Sequence, residues 1–361
     1  MRSRASIVRA RALIIVALVI VVCLVAAEVY VFQVLNSGTR TSSRSIATTA
    51  SITTSTRFSS STSQSTTLGT ISKINLGSKS SPLKLAYDQS SGTLFVLDQS
   101  NGTVYTVETK NDKLGSSIQS GAIDATGLAY ASTSNSIYVA SPFSESVVRV
   151  QLSANQTESF QMQGRPSEAL FVPNNTRVYV ALEDRVIVIN DSSGTVENSS
   201  SISLPCPTGL AYDGARSILF VSDSCGGSVF AVNITSNTII SNVSVGKNPI
   251  GMAFDPKDNL VFVSNANSND LSVIDCATMK VSSTIALRNN TSPLQAAFDS
   301  LNGNVYVTEG GTNGIAVIKA DTSELIGTYS LWARPYGIIY DPDNREVYAA
   351  VGTGLGVIRT G

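Results

Sequence analysis

The sequence contains no histidine. That absence removes the commonest general base and a frequent metal ligand, and with them Ser-His-Asp hydrolysis and histidine-based zinc sites. Carboxylate, lysine and thiol chemistry are what remain. The four cysteines are Cys23, Cys206, Cys225 and Cys276, and no C-x-x-C metal or redox motif occurs. Asp255-Pro256-Lys257-Asp258-Asn259 and Asp341-Pro342-Asp343-Asn344 offer oxygen ligands of the kind calcium takes. Their spacing fits no EF-hand loop, and Asp-Pro followed closely by Asn is ordinary turn chemistry. Sequons for N-glycosylation stand at Asn101, Asn155, Asn174, Asn190, Asn198, Asn233, Asn242, Asn289 and Asn290, and some would carry glycans on an exported chain.

The bulk charge excludes a further class. Four arginines and one glutamate lie within the first 35 residues; of the 25 basic and 26 acidic side chains, 21 and 25 remain beyond it, a net of −4. That is no footprint for nucleic acid. Nothing in the composition or motifs points to a cofactor or bound metal, and no catalytic constellation is visible.

The elements that would position any site are legible in Pro249–Leu287, PIGMAFDPKDNLVFVSNANSNDLSVIDCATMKVSSTIAL. IGMAFD, LVFVSN, LSVID and VSSTIAL read as four short strands, separated by polar turns rich in Asp, Asn and Pro. Four strands cannot bury two apolar faces alone, so copies must stack beside them. Copies open at Pro82, Ala125, Pro166, Pro207, Pro249, Pro293 and Pro335, in steps of 41 to 44 residues. Their first strands run from PLKLAYD (82–88) to PYGIIYD (335–341), and their second strands carry LFVL, IYVA, VYVA, LFVS, VFVS, VYVT and VYAA.

The PxGxAxD opening, the second strands Phe262-Val263-Ser264-Asn265 and Tyr306-Val307-Thr308-Glu309, and the VSVID-like third strand resemble the YVTN-type β-propeller repeat family. The resemblance covers residues 70–361; it is strong in blades four to seven and weaker in blade three, where PSEALFV lacks the glycine and aspartate. It implies an all-β, seven-bladed propeller of four-stranded blades and, often, a surface-layer or cell-surface setting. It does not imply one reaction. TISKINL (70–76) resembles a fourth strand yet precedes the first copy, whereas the last copy stops one strand short at Gly361. The early strand is therefore expected to complete the last blade and close the ring, which removes exposed sheet edges.

Strand order decides which loops share a face. The connections between blades and the second-to-third-strand loops lie on one face, and the two tight turns of each blade lie on the other. Cys206 and Cys225 then sit on the same face of blade four and are placed to form a disulfide in an exported protein. Cys276 falls on the opposite face. At the third position of the first strand, near the central channel, four blades carry Gly127, Gly209, Gly251 and Gly337, while the others carry Lys84, Glu168 and Gln295. These three are the candidate ligand-binding residues at the channel mouth. Arg165, Lys247, Trp332 and Arg334 are the candidate rim residues, on the loop face where propellers usually recognise partners.

Ahead of the repeats, residues 1–11 hold four arginines and residues 12–35 form an apolar run that Glu28 interrupts and VYVFQVL continues to Leu35. A run of this length is expected to cross a bilayer as a signal anchor, with the arginines in the cytoplasm and the rest outside. Val25-Ala26-Ala27 also offers a cleavage site, which would leave a secreted domain. Residues 36–69 are dominated by Ser and Thr and read as an extended stalk, O-glycosylated or bare. Together these features lead to the expectation of a noncatalytic cell-surface module binding a glycan or surface-layer partner through its loop face. A lactonase-like propeller hydrolase with a metal or acidic site at the channel mouth is one alternative. A self-assembling structural surface protein is the other.

Overall fold

The computed structural model describes residue 68 and residues 70–360. The expected anchor and all of the stalk but Leu68 lie outside the described residues, as does Cys23. No helix among the described residues is long and apolar enough to cross a membrane.

Seven antiparallel sheets follow one another along the chain, each ordered from an innermost first strand to an outermost fourth. In blade 5 the strands are Pro249–Asp255, Leu260–Asn265, Asp270–Asp275 and Lys280–Ala286. In blade 7 they are Pro335–Asp341, Glu346–Val351 and Gly354–Arg359, and the fourth place is taken by Ser72–Asn75 from the start of the domain. That strand pairs antiparallel with Gly354–Arg359, Ser72 opposite Val357 and Asn75 opposite Gly354. The ring is thus closed as expected. Because Gly354–Arg359 leaves the loop face, its antiparallel partner arrives from the tight-turn face. Ser72–Asn75 therefore runs from the tight-turn face toward the loop face.

Seven hydrophobic clusters hold the ring, one at each seam between neighbouring blades. The β-branched and aromatic second strands supply most of the largest fully buried side chains, Phe220 and Phe262 among them, and Tyr348 of blade 7 packs with Leu94 and Val96 of blade 1. Burying a side chain of this size contributes ~1.5–3 kcal/mol, so each blade is stabilised chiefly by its neighbours.

The glycines of the inner strands have a steric cause. A Cβ at Gly209 would come within 1.8 Å of the Ile250 carbonyl oxygen, at Gly251 within 2.4 Å of that of Leu294, and at Gly337 within 2.5 Å of that of Leu83. The next blade's inner strand occupies that space. Turns explain much of the asparagine content: Asn135, Asn237, Asn259, Asn269 and Asn313 hold left-handed backbone conformations that Asn tolerates.

Blade 3 departs from the regular pattern. Its first strand is Glu168–Val172, shorter than the expected 166–172, and blade 2 likewise starts at Gly127 rather than Ala125. Its outer strand is broken into Thr195–Val196 and Ile202–Ser203, both paired with Arg185–Asn190, with a 3-10 turn at Asn198–Ser200 between them. Arg177 Nε donates to Glu197 Oε2 at 2.9 Å and Asn190 Nδ2 to Glu197 Oε1 at 3.0 Å, so side chains hold the break where ladder bonds are missing.

Candidate functional site

The channel-mouth residues do not form one open pocket. Lys84 of blade 1 and Glu168 of blade 3 meet as a hydrogen-bonded ion pair, with side chains only 16% and 13% exposed. The pair reaches past blade 2, whose Gly127 would bring an added Cβ within 2.9 Å of the Glu168 Cα. Gln295 is not part of it. Its carboxamide oxygen lies over blade 5, 2.9 Å from where a Cβ at Gly251 would stand. Its backbone N–H donates to Thr308 Oγ1 at 3.0 Å, and that hydroxyl donates at 2.8 Å to the Tyr336 carbonyl in blade 7. Ser222 does the same in blade 4, accepting from the Gly209 N–H at 2.7 Å and donating to the Ile250 carbonyl at 2.9 Å. These hydroxyls staple neighbouring inner strands.

The rim residues lie scattered around the loop face. Arg165 stands 3.9 Å from Glu183, with both side chains more than half exposed. Lys247 is exposed; its backbone N–H donates to Ser268 Oγ at 3.0 Å and its carbonyl accepts the Asn267 N–H at 3.1 Å. Trp332 is 42% exposed, with the Lys73 ammonium 5.0 Å above its ring, and Arg334 stands 5.2 Å over the ring of Tyr336. Arg288, on the connection before blade 6, stands 3.8 Å from Glu309, a buried carboxylate whose pKa burial pushes up.

Cys206 and Cys225 are joined as a disulfide, their Cα atoms 5.7 Å apart. Asp223 lies beside them, and these three side chains are close enough together to suggest metal ligands. Both sulfurs are consumed by the bond, however, and Asp223 Oδ1 accepts the N–H groups of Cys225 and Gly226 at 3.1 and 3.0 Å. The two Asp-Pro segments resolve as turns: Asp255 Oδ1 accepts from Lys257 and Asp258, and Asp341 Oδ1 from Asp343 and Asn344. Cys276 is free and buried, its thiol pushed up to about 12 by burial.

Beside the disulfide a cleft of about 320 Å³ opens on the loop face, lined by Pro142, Leu182, Cys206 and Pro207 with Arg165 and Glu183 at its edge. Next to it stand the most exposed large apolar residues of this face, Phe143 at 72% and Ile123 at 55%. The Ser141 hydroxyl donates to the Ile123 carbonyl and ties their two loops together. Neither was a candidate from sequence reasoning. The available signal was that Phe143 is the sole aromatic residue in any second-to-third-strand loop. The larger cleft, about 840 Å³ between blades 1 and 2, opens beside the outer strands and is lined by turn and ladder residues such as Asp88, Thr106 and Ser117.

Of the sequon asparagines, Asn101, Asn289 and Asn290 are exposed on the loop face, and Asn242 is exposed on an outer strand. Asn155, Asn174 and Asn198 are exposed among the turns of blades 2 and 3. Asn190 and Asn233 are half-buried, and their carboxamide oxygens accept turn N–H groups.

Among solved structures, the chain is similar to a streptogramin B lyase, with a TM-score of 0.70 at 15% identity over 80% of this chain and 96% of that one. It is similar to the hydrazine synthase of Kuenenia stuttgartiensis, with a TM-score of 0.70 at 18% identity over 81% of this chain and 99% of that one. It is also similar to the β-propeller domain of Cps50 (Swd1) from Myceliophteria thermophila, with a TM-score of 0.67 at 10% identity over 80% and 100%. The shared feature is the fold. No family model matches the chain, and no curated protein does.

Proposed function

We propose that this protein is an exported, membrane-anchored propeller of the YVTN kind that binds a partner through its loop face without transforming it. The observation that carries the reading is where exposed side chains are left without a structural task. Phe143, Ile123 and Trp332 are exposed on the loop face, and an apolar cleft opens beside the first two. Monomeric soluble domains expose few such groupings without a use for them. Ser72–Asn75 starts at the tight-turn face, so an N-terminal tether over residues 12–35 with a Ser/Thr-rich spacer would present the loop face outward. A surface-layer protein or a glycan is the kind of partner such a display would meet. A hydrolytic reading would rest on Glu168 at the channel mouth, and Glu168 is committed to Lys84.

The test is binding of the purified chain to envelopes of its source cell. Phe143→Asp should lower retention about ten-fold or more, as expected for a central apolar anchor. Leu301→Asp alters a residue 58% exposed on the tight-turn face and should leave retention unchanged. Equal loss from both variants, or none from either, would remove the loop face from consideration.

A further inference from the structure

The charged residues of the loop face are sorted by sign around the ring. Asp124 on the connection into blade 2, Glu145 in the loop of blade 2, and Glu183 and Asp184 in the loop of blade 3 are all exposed. Together they form an acidic arc, partly offset by Arg165 and Arg185. On the connections into blades 5, 6, 7 and 1 stand Lys247, Arg288, Arg334 and Lys79, all exposed. No exposed Asp or Glu lies in the loops or connections of that half, where Glu309 is buried. In a seven-membered ring the basic arc centres on blade 6, directly across the axis from the acidic one. Each half also carries exposed apolar surface, Ile123 and Phe143 in the acidic half and Trp332 in the basic half.

We infer that the partner of the loop face is a second copy of this chain, docked face to face about a two-fold axis lying in the plane of contact. This rests on the reading of the loop face as the binding surface. A half-turn about an axis running between the two arcs lays the acidic arc of each copy over the basic arc of the other. The contact is isologous and satisfies both arcs twice. Surface ion pairs are individually weak, but like charges set opposite one another are strongly disfavoured, so sorted arcs fix orientation. The pairing also places the start of Ser72–Asn75 in each copy on an outer face, the two pointing away from each other. That is the geometry of contact between two surfaces that each display the protein.

Sedimentation velocity of the full-length chain in detergent tests this. The wild type should dimerise at low salt and dissociate as salt screens the arcs. Glu145→Lys with Asp184→Lys turns the acidic arc net basic while Asp124 and Glu183 remain, and Lys247→Glu with Arg334→Glu cancels the charge of Arg288 and Lys79 in the basic arc while leaving the acidic arc intact. Each double variant should dimerise about ten-fold or more weakly by itself, while an equimolar mixture of the two should pair again. Melting curves matching the wild type confirm that each variant is folded. A monomeric wild type, a dimer indifferent to salt and to all four substitutions, or folded variants that fail to pair when mixed would overturn the inference. The underlying reading fails separately: a monomeric chain whose envelope binding is lost on Phe143→Asp keeps the loop face and rejects the second copy.

Discussion

Asp255 and Phe298 show how single atoms matter at the seams between blades. In four of the seven repeats the sixth residue of the opening segment is a tyrosine, and in three of these its hydroxyl faces the aspartate that ends the previous blade's inner strand. Tyr130 faces Asp88, Tyr87 faces Asp341 and Tyr340 faces Asp299, and in each case burial and the carboxylate raise the phenol's pKa. The Tyr340 hydroxyl and Asp299 Oδ2 lack a hydrogen-bond partner even with both residues present, and in two seams where one member is missing the other is left without one too. Tyr212 packs with Val172, and its hydroxyl has no partner; the repeat position opposite Asp255 is Phe298, and Asp255 Oδ2 is buried without a partner. Phe298→Tyr should supply the missing donor and raise stability by ~1–2 kcal/mol, measured by urea unfolding. The sign of the pH effect follows. Burial raises the Asp255 pKa, so its ionised form is disfavoured in the folded protein. The destabilisation is full above the folded pKa and fades as pH falls through it toward the unfolded value, and the advantage of Phe298→Tyr should shrink over the same interval. The Lys84–Glu168 pair makes a second residue-scale case. Lys84→Met alone leaves a mostly buried carboxylate unpaired and should cost ~3 kcal/mol, while Lys84→Met with Glu168→Leu should come within ~1 kcal/mol of wild type. A silent Lys84→Met would show that the pair carries no weight.

At the scale of loops and strands, the disulfide links the connection into blade 4 to that blade's own second-to-third-strand loop. It spans 19 residues, and closing a loop of this size contributes ~2–4 kcal/mol. Cys206→Ser with Cys225→Ser should lower urea stability by that amount and abolish any effect of reductant on melting; the free Cys276 is buried and would not respond. This pairing was legible in the sequence because strand order alone puts both cysteines on one face of one blade. The meeting of Lys84 with Glu168 was not. The two residues stand 84 positions and two blades apart, and only the curvature of the ring, together with Gly127 between them, brings the side chains into reach. Gln295 shares their repeat position and, like Glu168, stands two blades from Lys84, but its carboxamide lies over Gly251 of blade 5, on the side away from Lys84. The broken outer strand of blade 3 was also hidden, because Glu197 holds it through contacts that leave no period in the sequence. The sorting of charge on the loop face becomes visible only when loops far apart in the chain are placed around one axis.

For the whole molecule, the decisive contact is the one between the two ends of the domain. Repeats stacked in an open row leave two unpaired edges and an apolar seam at each end. Here one short strand removes both problems. Ser72–Asn75 completes blade 7, and Ile74 and Leu76 are buried in the seam with blade 1 alongside Leu94, Val96 and Tyr348. The Tyr348 hydroxyl crosses the same seam, donating to Asp112 Oδ1 at 2.7 Å. Ile74→Asp places a charge in this seam without shortening the chain, and removal of residues 1–76 takes away the strand entirely. Both should lower the melting temperature of the entire domain in one transition, because blades 1 and 7 are each stabilised by the seam they share and pass the loss to their neighbours. Hydrogen exchange read per blade distinguishes this from local fraying. Protection should fall in all seven blades, most in 1 and 7. Loss confined to residues 72–75 and 354–359 would show that the ring holds without its closing strand, and that the seven seams are independent rather than one cooperative circuit.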